Sequence, residues 1–345
     1  MEKRKYLSGM TLDELKAVAS HATLPAYAAG QIADWLYKKK VKSISEMTNI
    51  SAAKREILSL HYEVGATPPT EAQHSSDGTI KYLFSAGDGS RFIESVYIPS
   101  KDRATLCVSS QVGCRMNCLF CMTGKQGFTA QLTANDILNQ IQSIPESEEL
   151  TNIVFMGMGE PLDNTDELFK TLEILTSSYG YAWSPKRITV STIGILPELK
   201  RFLEKSNCHL AISLHSPYHE ERLSLMPIEK VYKIDSIIEL LHKYDFSHQR
   251  RVSFEYIMFD GLNDSRQHAK DLALLLKGLD CRVNLIRFHS IPGVNLKSTN
   301  EQKIENFRDM LNSLGIICTI RASRGEDIFA ACGMLSTAKL VINNT

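Results

Sequence analysis

Three thiols stand within eight residues at Cys114, Cys118 and Cys121, spaced CxxxCxxC and followed by Met122, Thr123 and Gly124. One tight loop with that spacing can turn all three sulfurs toward a common point. Soft thiolate donors grouped in this way select zinc or iron–sulfur chemistry. A structural zinc site is normally closed by a fourth protein ligand, whereas an iron–sulfur cluster can leave one iron open to a substrate or cofactor. No second CxxC and no HxxxH pair follows nearby. The count therefore points to a cluster with a vacant iron. A zinc loop, or cysteines buried for packing alone, is the competing reading.

Other polar residues fall at the ends of apolar, β-rich runs. The run Asn152-Ile153-Val154-Phe155-Met156 leads straight into Gly157-Met158-Gly159-Glu160-Pro161. The glycines Gly157 and Gly159 let backbone approach a ligand closely, and Glu160 adds an acceptor. Ser191 ends the next run, Ser213-Leu214-His215 ends the one after, and His289 follows the run 283–288. Taken singly, each is a satisfied polar group at a strand terminus. Taken singly, Cys107 and Cys332 are small buried hydrophobes, and Glu94 in a hairpin strand faces solvent. Cys208, Cys281 and Cys318 lie in or beside apolar strand segments and read as structural thiols.

The elements that position these residues come in three blocks. Residues 1–75 read as a small helical domain. Thr11-Leu12-Asp13-Glu14 forms a capping box, with Leu12, Leu15 and Val18 as the apolar stripe. A second helix is expected over 27–40, with Ile32, Trp35 and Leu36 inward, and a third from Ser51 through Ile57 and Leu58. Residues 76–100 read as a β-hairpin, 79–84 and 91–98, around Asp88-Gly89. From residue 101 to 345 strands at about 105–110, 152–157, 187–193, 209–214, 251–259, 282–288 and 316–321 alternate with helices. The helices include 133–144, 166–176, 234–244, 266–276 and 302–314. Repeated βα units imply a parallel sheet, either a barrel or a doubly wound sheet. In both, ligands sit at the carboxyl ends of the strands, and the cysteine loop follows the first of them.

The chain's 345 residues, 43% hydrophobic and 23% charged, are long enough for a large core. No apolar run reaches the roughly eighteen residues a membrane span needs. The start, residues 1–6, lacks the apolar core of a signal peptide. Eight cysteines without such a signal read as reduced, cytoplasmic thiols. The formal net charge is zero, so any nucleic-acid contact must come from local basic patches such as 38–42, Lys186-Arg187 and Arg250-Arg251.

CxxxCxxC with Phe120 before the last cysteine resembles the signature of radical S-adenosylmethionine (SAM) enzymes. Further segments extend the likeness over essentially the whole chain: 107–114, 155–161, Ser191-Thr192-Ile193-Gly194, Ser213-Leu214-His215 and Ala331-Cys332-Gly333. Together they resemble the RlmN/Cfr family of radical SAM RNA adenosine methyltransferases. Within it, 93–99 and Gly159-Glu160-Pro161 look like the branch that methylates C2 of adenine. The stretch 213–218 and Arg287 look somewhat like the C8 branch, which confers ribosomal antibiotic resistance. His289 stands where the C2 branch usually has asparagine, although imidazole can also donate or accept.

The resemblance implies a fold and a site. The fold is an α/β partial (β/α)6 radical SAM barrel with a small helical N-terminal domain and a linking β-hairpin. Cys114, Cys118 and Cys121 would hold a [4Fe–4S] cluster. Gly159, Glu160, Ser191, Ser213, Leu214, His215 and His289 would bind SAM, used twice per turnover. Cys332 would carry the methyl group as S-methylcysteine, Glu94 would accept the proton, and Cys107 would resolve a covalent enzyme–RNA adduct through a transient disulfide with Cys332. The implied partners are 23S rRNA at the peptidyl-transferase centre, tRNA at the adenosine 3′ of the anticodon, and an external flavodoxin-type electron donor. A monomer is expected. The alternatives are a C8 methyltransferase and, from another class, a non-catalytic zinc-binding RNA protein.

Overall fold

The computed structural model describes residues 4–87, 89–248 and 250–337. Residues 1–3 of the start and Asp88 of the predicted Asp-Gly turn lie outside them.

Seven barrel strands follow one another: Arg103–Cys107, Asn152–Phe155, Ile188–Thr192, His209–Ser213, Val252–Met258, Cys281–Arg287 and Ile317–Ile320. They lie side by side in chain order, and every neighbouring pair is parallel. A doubly wound sheet reverses its strand order at a switch point. No reversal occurs here, so the sheet is the wall of a barrel. Crossover helices Ala134–Gln142, Thr165–Thr176, Leu196–Lys205, Ile234–Leu241, Arg266–Leu275 and Glu301–Ser313 complete six βα units. The fifth barrel strand is buried at every residue, as a parallel strand covered on both faces must be.

The wall does not close. Antiparallel strands Arg91–Ser100, Ile80–Ala86 and Glu71–His74 continue it beyond the first barrel strand, giving ten strands in one sheet. The predicted hairpin thus extends the barrel wall. It also gains the strand Glu71–His74, exposed at all four residues, whose polar sequence carries no alternation to read. Helices Leu196–Lys205 and His219–Leu225 add to the ranges read from the sequence. The first opens on Leu-Pro and buries Leu199, Phe202 and Leu203.

In the N-terminal segment Thr11 and Glu14 form the expected capping box on helix Leu12–His21. The predicted helix over 27–40 is instead an α-helix, Ala28–Ala33, followed by a wider π turn, Asp34–Lys38, with the Lys39 amide donating to the Asp34 carbonyl at 3.0 Å. Leu15, Val18, Ile32, Leu36 and Leu58 are buried as predicted, whereas Ile57 is exposed. The segment is bolted to the barrel's outer helices. Asn139 donates to the Thr67 carbonyl at 2.9 Å and accepts from the Thr67 amide at 2.9 Å, and Lys170 pairs with Glu14 at 2.8 Å. Gly9, in the left-handed region, lies so close to Asn135 that a Cβ would come 2.4 Å from its amide nitrogen.

Candidate active site

The cysteine loop leaves the carboxyl end of the first barrel strand through Gly113, whose φ is +73°. A Cβ there would sit 1.7 Å from the Gly127 carbonyl oxygen, the same oxygen that accepts from the Cys114 amide at 3.2 Å. Asn117 takes a left-handed turn, and the Cys121 amide returns to the Cys118 carbonyl at 3.2 Å. These local turns bring Cys114, Cys118 and Cys121 onto one cavity of about 180 Å³. Burial pushes Cys114 up to about 12; it pushes Cys118 up as well, and the neighbouring sulfurs of Cys121 and Cys114 add to this. Three thiols that resist ionisation, two of them buried and Cys121 partly so, become stable thiolates only when a metal group takes up their charge. A mononuclear zinc site would need its donors gathered about 2.3 Å from one point. Soft donors serve zinc and iron alike, and it is the open cavity beside the three sulfurs that leaves room for a larger group. The soft donor set, open to a shared cavity, fits an iron–sulfur cluster.

The carboxyl ends of the next strands line the same cavity with Gly157, Gly159, Glu160, Ser191, Ser213 and His215. The two glycines also pack the chain together: a Cβ on Gly157 would lie 2.7 Å from Val108 backbone, and one on Gly159 2.5 Å from Gln111 Cβ. Glu160 is buried and accepts from the Leu162 amide at 3.0 Å, the Thr192 hydroxyl at 2.5 Å and the Ile193 amide at 3.0 Å. Burial nevertheless lifts its carboxyl to about 7. Oε1 accepts two of these bonds and Oε2 one, so Oε2 keeps a lone pair for a cationic ligand. His215 sits at φ +60°, and its Nδ1 accepts from the Ile257 amide at 3.0 Å, which puts the proton on Nε2. Burial, with Arg222 nearby, pushes this imidazole down to about 3, so it is a neutral donor. Phe120 meets its ring edge-on at 4.7 Å.

Two proposed SAM ligands do not join this cavity. The Leu214 side chain is fully buried in the core, and its amide donates to the Glu255 carbonyl at 3.0 Å. His289 lines a different cavity, with Nδ1 at 3.3 Å from Glu326 and Nε2 at 3.2 Å from the Ser323 hydroxyl.

Cys107 and Cys332 both line the cavity of the three thiols, close enough for Cys332 to push the Cys107 thiol up. Burial is the larger cause and takes Cys107 to about 12. Cys332 is exposed, but what it exposes faces the barrel interior; burial raises its thiol while Arg321 holds it back. Hydrogen bonds stitch the segment after Cys332 to the cysteine loop. The Met122 amide donates to the Gly333 carbonyl at 2.8 Å, the Thr123 hydroxyl to the Leu335 carbonyl at 2.7 Å, and Gln126 exchanges two bonds with Thr337. On its other side the Ser336 amide donates to Glu94 at 2.9 Å. Glu94 is buried, not solvent-facing, and pairs with Lys81 at 3.0 Å. It opens onto a neighbouring cavity of about 330 Å³, walled also by Met122, Met334 and Phe329.

Sequence reading missed Arg222. It is fully buried, ion-paired with buried Glu229, and donates to the Ile193 and Ser213 carbonyls at 3.0 and 3.1 Å. It therefore ties together the ends of the third and fourth barrel strands, and its charge favours the Cys118 thiolate. Nothing local in the sequence separates it from the other arginines. The pairs Lys186-Arg187 and Arg250-Arg251 precede the third and fifth barrel strands, at the end opposite the thiols.

The radical SAM superfamily model matches residues 108–273, and the model of the ribosomal RNA large subunit methyltransferase N-terminal domain matches residues 6–64. A probable dual-specificity RNA methyltransferase RlmN of Parabacteroides distasonis is 71% identical over 99% of both chains. The protein called dual-specificity RNA methyltransferase RlmN in Syntrophus aciditrophicus is 42% identical over 95% of both. The crystal structure of a radical SAM methyltransferase from Sphaerobacter thermophilus superposes with a TM-score of 0.90 at 38% identity, covering 97% of this chain and 99% of that one. With three thiols at the carboxyl end of the first strand of an open (β/α)6 wall, and likeness of this extent along its full length, the chain belongs to the RlmN family of dual-specificity radical SAM RNA methyltransferases.

Proposed function

We propose that this enzyme methylates C2 of adenosine in 23S rRNA and in tRNA at the position 3′ of the anticodon. The observation that carries the reading is the meeting of Cys107, Cys332 and the three-thiol loop in one cavity. C2 is an electron-poor aromatic carbon, so simple displacement onto it fails and a radical route is required. When bound, the [4Fe–4S] cluster and two SAM molecules per turnover supply the methyl carbon and the hydrogen-abstracting radical, with the electron drawn from an external flavodoxin-type donor.

The chain's own residues do the rest. Gly159, Glu160, Ser191, Ser213 and His215 bind and orient the cofactor, and Glu160 offers the free lone pair of its Oε2 to a cationic amino group. Cys332 takes the methyl group on sulfur and gives up one of its hydrogen atoms to the abstracting radical; the methylene carbon then bonds to C2, and the unpaired electron of the adduct would return to the iron–sulfur group as the C2 proton leaves. Glu94 accepts the C2 proton, with Lys81 favouring its carboxylate form against the effect of burial. Cys107, as thiolate, attacks the Cys332 sulfur. The S–S bond forms, the sulfur–methylene bond breaks, and the carbon leaves with RNA and takes a proton to become methyl. A splayed, unpaired adenosine suits so enclosed a site. Residues 1–75 act as an RNA-binding accessory domain, and the enzyme works as a cytoplasmic monomer.

Nucleosides from rRNA and tRNA modified by the purified enzyme, resolved by mass spectrometry against 2- and 8-methyladenosine standards, test this. 2-Methyladenosine in both RNAs is expected; 8-methyladenosine would move the enzyme to the C8 branch.

A further inference from the structure

The barrel interior holds a buried carboxylate that the reaction described above does not use. Glu255 stands in the fully buried fifth barrel strand and is itself 3% exposed. Register sets Glu255 beside Asn284 of the sixth strand, and Asn284 beside Thr319 of the seventh. Along that row the Thr319 hydroxyl donates to Asn284 at 2.8 Å, and the Asn284 amide donates to Glu255 Oε1 at 2.7 Å. The Ser253 hydroxyl adds a bond to Oε1 at 3.2 Å. Oε2 is left for Arg321, whose Nε lies 3.4 Å away. A carboxylate at that depth is costly unless paired and hydrogen-bonded, and bulky aliphatic residues would fill the layer without the cost.

Arg321 follows the seventh strand directly and is fixed at its backbone. Its amide donates to the Leu285 carbonyl at 2.8 Å, and its carbonyl accepts from Arg287 at 2.9 Å. Its Nη1 reaches Met156 Sδ at 3.4 Å. Met156 lines the thiol cavity together with Cys107, Cys332 and Glu255. The Met156 backbone in turn hydrogen-bonds the Cys107 sulfur, so one residue touches both the guanidinium and the second thiol. Arg321 and Cys332 also share the wall of the adjoining cavity. Glu255, Arg321, Met156 and the two sulfurs therefore form one cluster.

The charges in that cluster oppose one another. Cys107 faces Cys332, the Met156 backbone and Arg321; burial and Cys332 push its thiol up, and the other two favour the thiolate. Cys332 faces Arg321, Glu255 and Cys121, and of these Arg321 favours the thiolate. Arg222 acts on Cys118 and His215 instead.

We propose that Arg321, tethered by Glu255, is a positioning residue for the resolving step, its guanidinium standing beside Cys107 and Cys332 to hold the attacking thiolate and the charge that passes between the sulfurs. This role rests on the two-thiol exchange proposed above. In that step Cys107 gives up its proton, the Cys107–Cys332 bond forms, and the sulfur–methylene bond breaks with its electron pair going to carbon. The carbon is reduced, takes up one proton and becomes methyl, and the two sulfurs are oxidised to the disulfide. Negative charge stays on the sulfurs until that bond breaks, and a fixed cation beside them stabilises it where it develops.

The test follows the protein–RNA crosslink in Arg321→Ala, with Cys107→Ala as the reference that cannot resolve it. Arg321→Ala should still methylate Cys332 and form the crosslink. Breakdown of the crosslink should slow by about tenfold or more, since an adjacent opposite charge shifts ionisation by about one pH unit or more. Arg321→Lys should recover most of the rate. Millimolar guanidinium should recover it in Arg321→Ala, whereas urea, its uncharged isostere, should not. Arg321→Ala combined with Glu255→Gln leaves no unpaired carboxylate and should show the same slowing, which separates the effect from poor folding. Normal breakdown in Arg321→Ala would overturn the proposal, as would an equal response to guanidinium and urea. S-methylation of Cys332 without any crosslink would also overturn it, making Arg321 an RNA contact. If Cys107→Ala itself accumulated no crosslink, the two-thiol exchange would fall and this role with it.

Discussion

Glu94 can accept a proton only while ionised, and two opposed forces set that state. Burial raises its carboxyl, and Lys81 at 3.0 Å lowers it. Lys81→Met removes the second force, so Glu94 should ionise only at higher pH, and the acidic limb of the methylation rate profile should move upward. Stability should follow. A raised carboxyl makes the native state bind the proton more tightly than the unfolded chain, so its contribution falls as pH rises through the window between the ordinary carboxyl pKa and the raised one. Lys81→Met should widen that window upward and cost about 3–5 kcal/mol at neutral pH, recovered on acidification. Thermal melts across pH measure it; an unshifted profile would show that Lys81 does not control Glu94. The cysteines give the second residue-scale prediction. Cys332→Ala should yield neither S-methylcysteine nor a protein–RNA crosslink. Cys107→Ala should methylate Cys332 and accumulate the crosslink on denaturing gels. In the unsubstituted enzyme, with Cys107 held up at about 12, breakdown of the crosslink should quicken about tenfold per pH unit in the neutral range.

At the scale of elements, the cysteine loop depends on one glycine and one latch. Gly113→Ala would place a methyl group 1.7 Å from a backbone oxygen in a left-handed residue, which the loop must open to relieve. The cost exceeds the roughly 1–2 kcal/mol of the left-handed strain alone. The expected result is loss of the brown absorbance with the rest of the fold retained by circular dichroism. Gln126 latches the segment after Cys332 through its bonds to Thr337 and Ser336. Gln126→Ala should cost about 1–3 kcal/mol locally and increase proteolysis after residue 330. Cluster loading should remain while S-methylation of Cys332 falls. Equal loss of both would mean that the latch serves the loop as a whole.

At the scale of the molecule, polar bolts join the N-terminal segment to the barrel, and Asn139 makes three of the bonds among the described residues. It bonds the Thr67 amide, carbonyl and hydroxyl from within a barrel helix. Asn139→Ala removes all three bonds to Thr67, an exposed residue, and should cost about 1–2 kcal/mol. Differential scanning calorimetry should then resolve an early transition ahead of the barrel's. A single transition lowered as a whole would show that the two parts unfold together.

What the sequence determined by itself was local or periodic. The cysteine spacing, the glycine pair before Glu160, the capping box at Thr11 and the alternation of strand and helix are all readable within a few residues, because turn geometry and side-chain periodicity act at that range. The tertiary structure decided what depends on neighbours distant in the chain. It put Cys107 beside Cys332, buried Glu94 against Lys81 and opened it onto a cavity of its own. It also turned Leu214 into the core, gave His289 to another cavity, and set Arg222 across two strand ends. Which way a strand-end side chain faces follows from sheet register and from which strands lie adjacent. Those are fixed by burying the whole sheet at once, and no short stretch of sequence contains them.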